Sequence, residues 1–310
     1  MVERVLVVFL DGVGLGEDDP EINPFALTDL PTLHGLLDGR RLVQANGGLS
    51  TRQASLLPLD AQLGVPGLPQ SGTGQTTILT GVNAPALLGR HYGPYPDQAL
   101  RELLSNGSLF RQLLAAGKPA AFANAYPDRF LNRLGRGTER LSANTRAALL
   151  AGLKLRGPND LKAGRAISSL LTNEYWSQWG YDMPHLSAAQ AGAQLAGLAE
   201  EHALTYFEFW YTDVAGHRQD RDLSLRVLSL LDEFVGGILD TLPLERALLM
   251  IISDHGNFED WTTPKHTHHP ALSLIVGDRH EVLASRLQSL QDITPALTSI
   301  LGVTSAVGKA

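Results

Sequence analysis

Three short apolar runs in this chain each end in a carboxylate. VLVVFL (5–10) leads into Asp11, TYFEFWYT (205–212) into Asp213, and ALLMIIS (247–253) into Asp254. A single aspartate at a strand end is ordinarily a turn former or a helix cap. Three that converge would repel one another and resist burial unless a cation neutralised them. Histidines stand where that cation would need nitrogen ligands. His217 follows Asp213 by four residues, one helical turn, and His255 directly follows Asp254. The run PKHTHHPAL then adds His266, His268 and His269. Mixed Asp and His ligation suits Zn²⁺, Mn²⁺ or Fe²⁺. With no cysteine in the chain, a hydrolytic metal site fits better than a structural zinc.

A fourth stretch, QSGTGQTTILTG (70–81), combines glycines with hydroxyls. It is not a P-loop, because Thr73 occupies the lysine position. It is not a dinucleotide fingerprint, because Thr77 replaces the third glycine. The hydrolase elbow fails at Gln75. Two roles remain for its hydroxyls: one attacks a substrate, or all serve the first turn of a helix. Ser71, Thr73, Thr76 and Thr77 compete for both.

Something must bring these stretches together. The three apolar runs are short, rich in β-formers and followed at once by polar or glycine positions, as buried parallel strands are. Helical spacing fills 187–202 and 223–239, and 109–114 with 120–125 supply another helix and strand. Strands alternating with helices predict an α/β fold with a doubly wound, mainly parallel sheet. In such a sheet ligands bind at the carboxyl ends of the strands, where the three aspartates fall.

The segment 127–184 reads differently. It is broken by Gly and Pro and carries nine Arg or Lys against five Asp or Glu. We read it as a small basic cap inserted into a core made of 1–126 and 185–310. It either faces the substrate or is a solvated surface. Arg90 and His91, in GRHYGPYP, divide between the same two roles.

The formal charge of −7 argues against a nucleic-acid or anionic-membrane surface. The apolar start is too short to span a membrane and lacks a small-residue cleavage site. The expectation is a cytoplasmic protein whose partner is a small substrate, with no nucleic acid and no membrane; the oligomeric state is not legible.

Taken together, these motifs resemble the alkaline phosphatase superfamily, in the branch of cofactor-independent phosphoglycerate mutase and phosphopentomutase. The opening DGVGLG with Asn23 and PTLHGLL, the SDHGN of 253–257, and His266-Thr267 followed by Pro270 carry the likeness. The mutase pattern around its serine runs G-x-P, a polar stretch, N-S-E-V-G-H and a later glycine. Laid without gaps on Gly64-Val65-Pro66 and Gly81, it places that serine on Thr73, and phosphopentomutase uses threonine there. The resemblance implies one ion on Asp11, Thr73, Asp254 and His255, and a second on Asp213, His217 and His266. Three carboxylates against two divalent ions, Mn²⁺ or Zn²⁺, leave about one positive charge to attract a phosphate dianion.

The implied activity is phosphoryl transfer on a small phosphorylated metabolite, by a phosphatase or a mutase, through a phosphothreonine on Thr73. Two-metal phosphatase sites hold their ions about 3.5–4 Å apart. A sulfatase would need a C/S-x-P-x-R run, which 70–81 lacks. A phosphodiesterase or nucleotide pyrophosphatase, also threonine-based, is the alternative within the fold. A non-catalytic metal-binding relative is the alternative outside enzymology.

Overall fold

The computed structural model describes residues 2–134 and 140–303. Its centre is a six-stranded sheet in the order β2-β6-β5-β1-β4-β3. The strands are β1 (Arg4–Leu10), β2 (Ala54–Leu59), β3 (Ala120–Phe122), β4 (Leu204–Phe209), β5 (Ala247–Ser253) and β6 (Ala271–Val276). β1 pairs in parallel with β4 and β5, and β3 with β4. β6 runs antiparallel to both its neighbours, β5 and β2. The three apolar runs are thus the three adjacent central strands.

Why these runs form strands follows from their burial. Strand side chains alternate between faces, and in β1 both faces are apolar. Leu6, Val8 and Leu10 enter one core cluster, and Val5, Val7 and Phe9 the other. The helices Ala188–Ala199 and Arg221–Leu239 cover the first face with Leu195, Leu231 and Phe234. The second face is covered by Ser71–Thr80, Gln98–Gly107 and Ile293–Ile300, through Ile78, Leu104 and Leu297. Truncating a fully buried Phe9 to alanine would cost about 3–5 kcal/mol. No helix among the described residues is long and apolar enough to cross a membrane.

The segment 127–184 contributes to two places. Its Ala143–Leu150 helix buries Ala143, Ala147 and Ala148 in the second core cluster. Leu161 and Trp176 instead gather with Ala125 and Ala166 in a small cluster of their own.

In the helix Ser71–Thr80, Gln70 is the N-cap and Gly81, at φ 73°, the C-cap. Thr73 is therefore already in its first turn. Gly81 suits that C-cap because left-handed backbone costs a glycine nothing sterically.

Candidate metal centre

The chemistry gathers at the carboxyl ends of β1, β4 and β5. Asp11 directly follows β1, and Asp254 and His255 directly follow β5. Asp213 and His217 lie four residues apart on the Tyr211–Arg218 helix that follows β4. His266 arrives by another route, in the loop before β6, whose antiparallel sense brings its start to the same edge.

Among the described residues two groups have ligand atoms within 4.8 Å of one another: Asp213 with His217 and His266, and Asp11 with Asp213 and His255. The first coincides with one expected set. The second differs from the other expected set, since Asp213 joins Asp11 and His255 and so stands between the two groups. Asp254 flanks them, its Oδ2 3.6 Å from His255 Nε2. His255 Nε2 also lies 3.5 Å from Asp11 Oδ1. His217 and His266 bring Nε2 to 3.4 and 3.8 Å from Asp213 Oδ1.

Each histidine is oriented through its other nitrogen. His217 Nδ1 lies 2.7 Å from Pro264 O, His266 Nδ1 2.7 Å from Pro69 O, and His255 Nδ1 3.3 Å from Gly256 O. A carbonyl only accepts, so Nδ1 carries the proton and Nε2 presents its lone pair to the cluster.

The donor set fits divalent cations. Asp11 Oδ1, Asp213 Oδ1 and Asp254 Oδ2 are buried and lack a hydrogen-bond partner, although buried oxygens are normally satisfied. Burial, then repulsion from Asp254 and Asp213, holds the Asp11 carboxyl well above the usual carboxylate range. Asp254 is pushed up to about 8, mainly by burial. Burial also depresses His255, and His266 to about 4 with His255 adding to the effect. Lone-pair nitrogens beside strained carboxylates are what a hard-to-borderline metal ion requires.

Thr73, expected to bind metal and attack, does not turn its hydroxyl toward this cluster. Its side chain is buried in the helix, donating to Gln70 O at 3.1 Å and accepting from Tyr92 N at 3.2 Å. The hydroxyl that does face the cluster is that of Ser71, with Oγ 3.0 Å from His255 Nε2. The physical reason is the helix: two residues onward is more than half a turn, so Ser71 and Thr73 face different ways. The signal was in the sequence. Moved two residues from the ungapped frame, N-S-x-x-G falls on Gln70-Ser71-x-x-Gly74.

Glycine lets Ser71 come this close. A Cβ on Gly74 would stand 2.9 Å from Asp254 O, so the helix packs directly on the end of β5. Gly12, at φ +68°, has Asp213 Oδ1 2.7 Å from where a Cβ would be.

Glu259 is the main residue that sequence reasoning passed over. Fully buried, it accepts from the Gly14 and Asn257 backbone N–H groups and from Thr267 Oγ1 and His269 Nδ1. Burial alone would raise its pKa, but the bonds from His269 and Thr267 hold it below the usual range. One carboxylate thereby ties together the loops bearing Asp11, His255 and His266. His269 is this carboxylate's partner, while His268 is exposed.

Comparison with known proteins agrees with this geometry. Residues 173–305 match the family model described as the metalloenzyme superfamily. The chain overlays a protein of Pyrococcus horikoshii, PH0037, over all of both chains at TM-score 0.60 and 14% identity. It overlays the Thermus thermophilus alkaline phosphatase over 98% of this chain and 92% of that one, at TM-score 0.52 and 13% identity. The fold is alkaline phosphatase-like. By sequence, the chain is 26% identical over 130 residues to the 2,3-bisphosphoglycerate-independent phosphoglycerate mutase of Moorella thermoacetica. That match spans 40% of this chain but only 25% of the mutase. The alkaline phosphatase-like fold and the metalloenzyme match are the frame in which the ligand groups stand.

Proposed function

We propose that this chain is a metal-dependent phosphoryl-transfer enzyme that forms a phosphoserine on Ser71 from a small phosphorylated metabolite. The observation carrying this is the Ser71 hydroxyl, in the first turn of a helix, 3.0 Å from His255 Nε2 and beside three orphaned carboxylate oxygens. Asp213, His217 and His266 would hold one divalent ion, and Asp11, Asp254 and His255, with Asp213 beside them, the other. Ions there, Mn²⁺ or Zn²⁺, would supply Lewis acidity that lowers the hydroxyl pKa and charge that offsets the phosphate and the departing oxygen.

The chain's own residues do the rest. No side chain caps the Ser71–Thr80 helix, and although Tyr92 O takes the Thr73 N–H, the N–H groups before it and the helix dipole favour a phosphate at Ser71. The packing of Gly74 on β5 fixes where the serine oxygen stands. Glu259 holds the three ligand loops in register. The 127–184 segment is read as the substrate's cover, since its Phe130, Arg140 and Ser142 line the cavity that also touches Asp11 and Ser71. A cytoplasmic location goes with a phosphorylated metabolite as substrate.

A phosphodiesterase reading drew on a threonine nucleophile, whereas the hydroxyl nearest the cluster is that of Ser71. The test is to load the stripped protein with Mn²⁺ or Zn²⁺ and follow phosphosugars, phosphoglycerates and nucleotides by phosphorus NMR. Inorganic phosphate marks a phosphatase, and a phosphate moving within one molecule marks a mutase. A phosphoryl mass gain on the peptide bearing Ser71 is expected in either case. Metal binding with no turnover and no such adduct would instead mark a non-catalytic relative.

A further inference from the structure

The metal cluster opens on one side into a cavity of about 290 Å³. Asp11, Ser71 and Asp213 form its reactive end, and Tyr126, Phe130 and Trp210 its far wall. The same three aromatics wall a second hollow of about 180 Å³ beyond it. The Tyr126 and Phe130 rings stack with centroids 4.5 Å apart, and the Tyr126 hydroxyl is tied to Thr145 Oγ1 at 2.7 Å. Trp210 is 39% exposed although it follows β4 directly. A large apolar ring left in water at the mouth of a reactive cavity is a place for another flat ring to stack.

Charge narrows the choice of ligand. Among the described lining residues Arg140 is the one cation, and Glu208 is a carboxylate additional to Asp11 and Asp213. Glu208 is buried at the end of β4, accepting from Ser142 and Asn144 at 3.1 and 3.0 Å. Among the described residues no ion pair to it is seen. An alcohol bearing its own carboxylate would meet one exposed arginine and a buried acid, whereas an uncharged ring meets three aromatic faces.

We propose that this cleft is the leaving-group site and that it selects phosphate monoesters whose alcohol carries an uncharged planar ring, as nucleoside monophosphates do. The proposal rests on the phosphoryl-transfer reading above. The Ser71 hydroxyl gives up its proton to solvent, and its Oγ–P bond forms as the bond from phosphorus to the alcohol oxygen breaks. The alcohol leaves with a proton from solvent. Water then attacks phosphorus, releasing inorganic phosphate and returning a proton to Ser71 Oγ.

Three substrates separate the possibilities on the Mn²⁺-loaded enzyme: adenosine 5′-monophosphate, ribose 5-phosphate with the same reacting group but no ring, and 3-phosphoglycerate. Base–aromatic stacking is worth about 1–3 kcal/mol, so kcat/KM for the nucleotide should exceed that for ribose 5-phosphate about tenfold. In Trp210→Ala that ratio should fall to within about threefold of unity, while Trp210→Phe keeps most of it. Circular dichroism checks that both variants fold. Saturation-transfer NMR of adenosine with the metal-free protein should show contact in wild type and a weaker one in Trp210→Ala. Equal rates for the nucleotide and ribose 5-phosphate, or faster turnover of 3-phosphoglycerate, would overturn the proposal while leaving phosphoryl transfer intact. No turnover of any substrate and no Ser71 adduct would defeat the phosphoryl-transfer reading, and the adenosine signal would still decide what the cleft binds.

Discussion

Exchanging the two neighbouring hydroxyls, one at a time, gives opposite outcomes on stability and turnover. In Thr73→Ala the lost oxygen had donated to Gln70 O and accepted from Tyr92 N. Gln70 O keeps the Gly74 N–H at 2.8 Å, so only the Tyr92 N–H loses a partner. An orphaned, partly buried donor costs about 1 kcal/mol or more, and the deleted methyl adds about 0.8 kcal/mol. Thr73→Ala should therefore lose about 2 kcal/mol of stability and keep its turnover. In Ser71→Ala one hydrogen bond, to His255, disappears, at about 1 kcal/mol or less. Its turnover should fall at least about a thousandfold, as expected when a nucleophile is removed. Thermal unfolding measures the first quantity. Phosphorus NMR with mass spectrometry of the 70–80 peptide measures the second. A folded Thr73→Ala without turnover, beside a Ser71→Ala that keeps it, would refute the assignment and restore the threonine.

Glu259→Gln should loosen the ligand loops, because an amide has one acceptor oxygen for four donors; a loss of about 2–3 kcal/mol and weaker metal binding are expected, read by thermal unfolding and metal titration. Gly74→Ala should push the helix away from Asp254 O, now 2.9 Å from where its Cβ would lie. Turnover should then drop more than metal affinity, which single-turnover kinetics with a metal titration would show. The metal-free protein should lose stability as pH rises from about 6.5 to about 8. Asp254 is pushed up to about 8 in the folded state from about 3.9 unfolded, so over this window the folded form holds a proton that the unfolded form has released. His255 and His266, depressed by burial, do not add to the effect there. Added Mn²⁺ should raise the melting temperature more at pH 8 than at pH 6.5, and an equal rise at both would contradict the carboxylate origin of the effect.

The sheet was legible because β1, β4 and β5 are apolar on both faces, a pattern that only a central, covered strand satisfies. Asp11 and Asp254 were legible for a related reason, since each directly follows such a strand, while Asp213 lies beyond the end of β4 in the Tyr211–Arg218 helix. The Asp213–His217 pair followed from one turn of helix. Ser71 was harder, because choosing among four hydroxyls depends on where a helix begins, and helix ends are the least certain part of a sequence reading. The ungapped frame placed the motif two residues late. Glu259 was harder still. Its role comes from bonds to Gly14, Asn257, Thr267 and His269, and no local spacing announces contact between loops so far apart in the chain. The aromatic cleft had the same difficulty: Tyr126 and Trp210 lie in different segments and meet only when β3 and β4 align.

β1 is the first element in time and a central one in space. Its two sheet neighbours are β4 and β5, which begin at Leu204 and Ala247. As the chain leaves the ribosome at about 5–20 residues per second, β1 therefore spends roughly ten seconds or more with both edges unpaired. Loop-closure entropy slows such distant pairings further. An apolar strand with free edges is the feature most prone to pairing with another chain, so the central strand that later carries Asp11 is first a hazard. Synthesis rate and chaperone supply should govern the yield of folded protein more than the stability of the finished fold, and the ion can find its complete set of ligands only after the last of them, His266, has emerged.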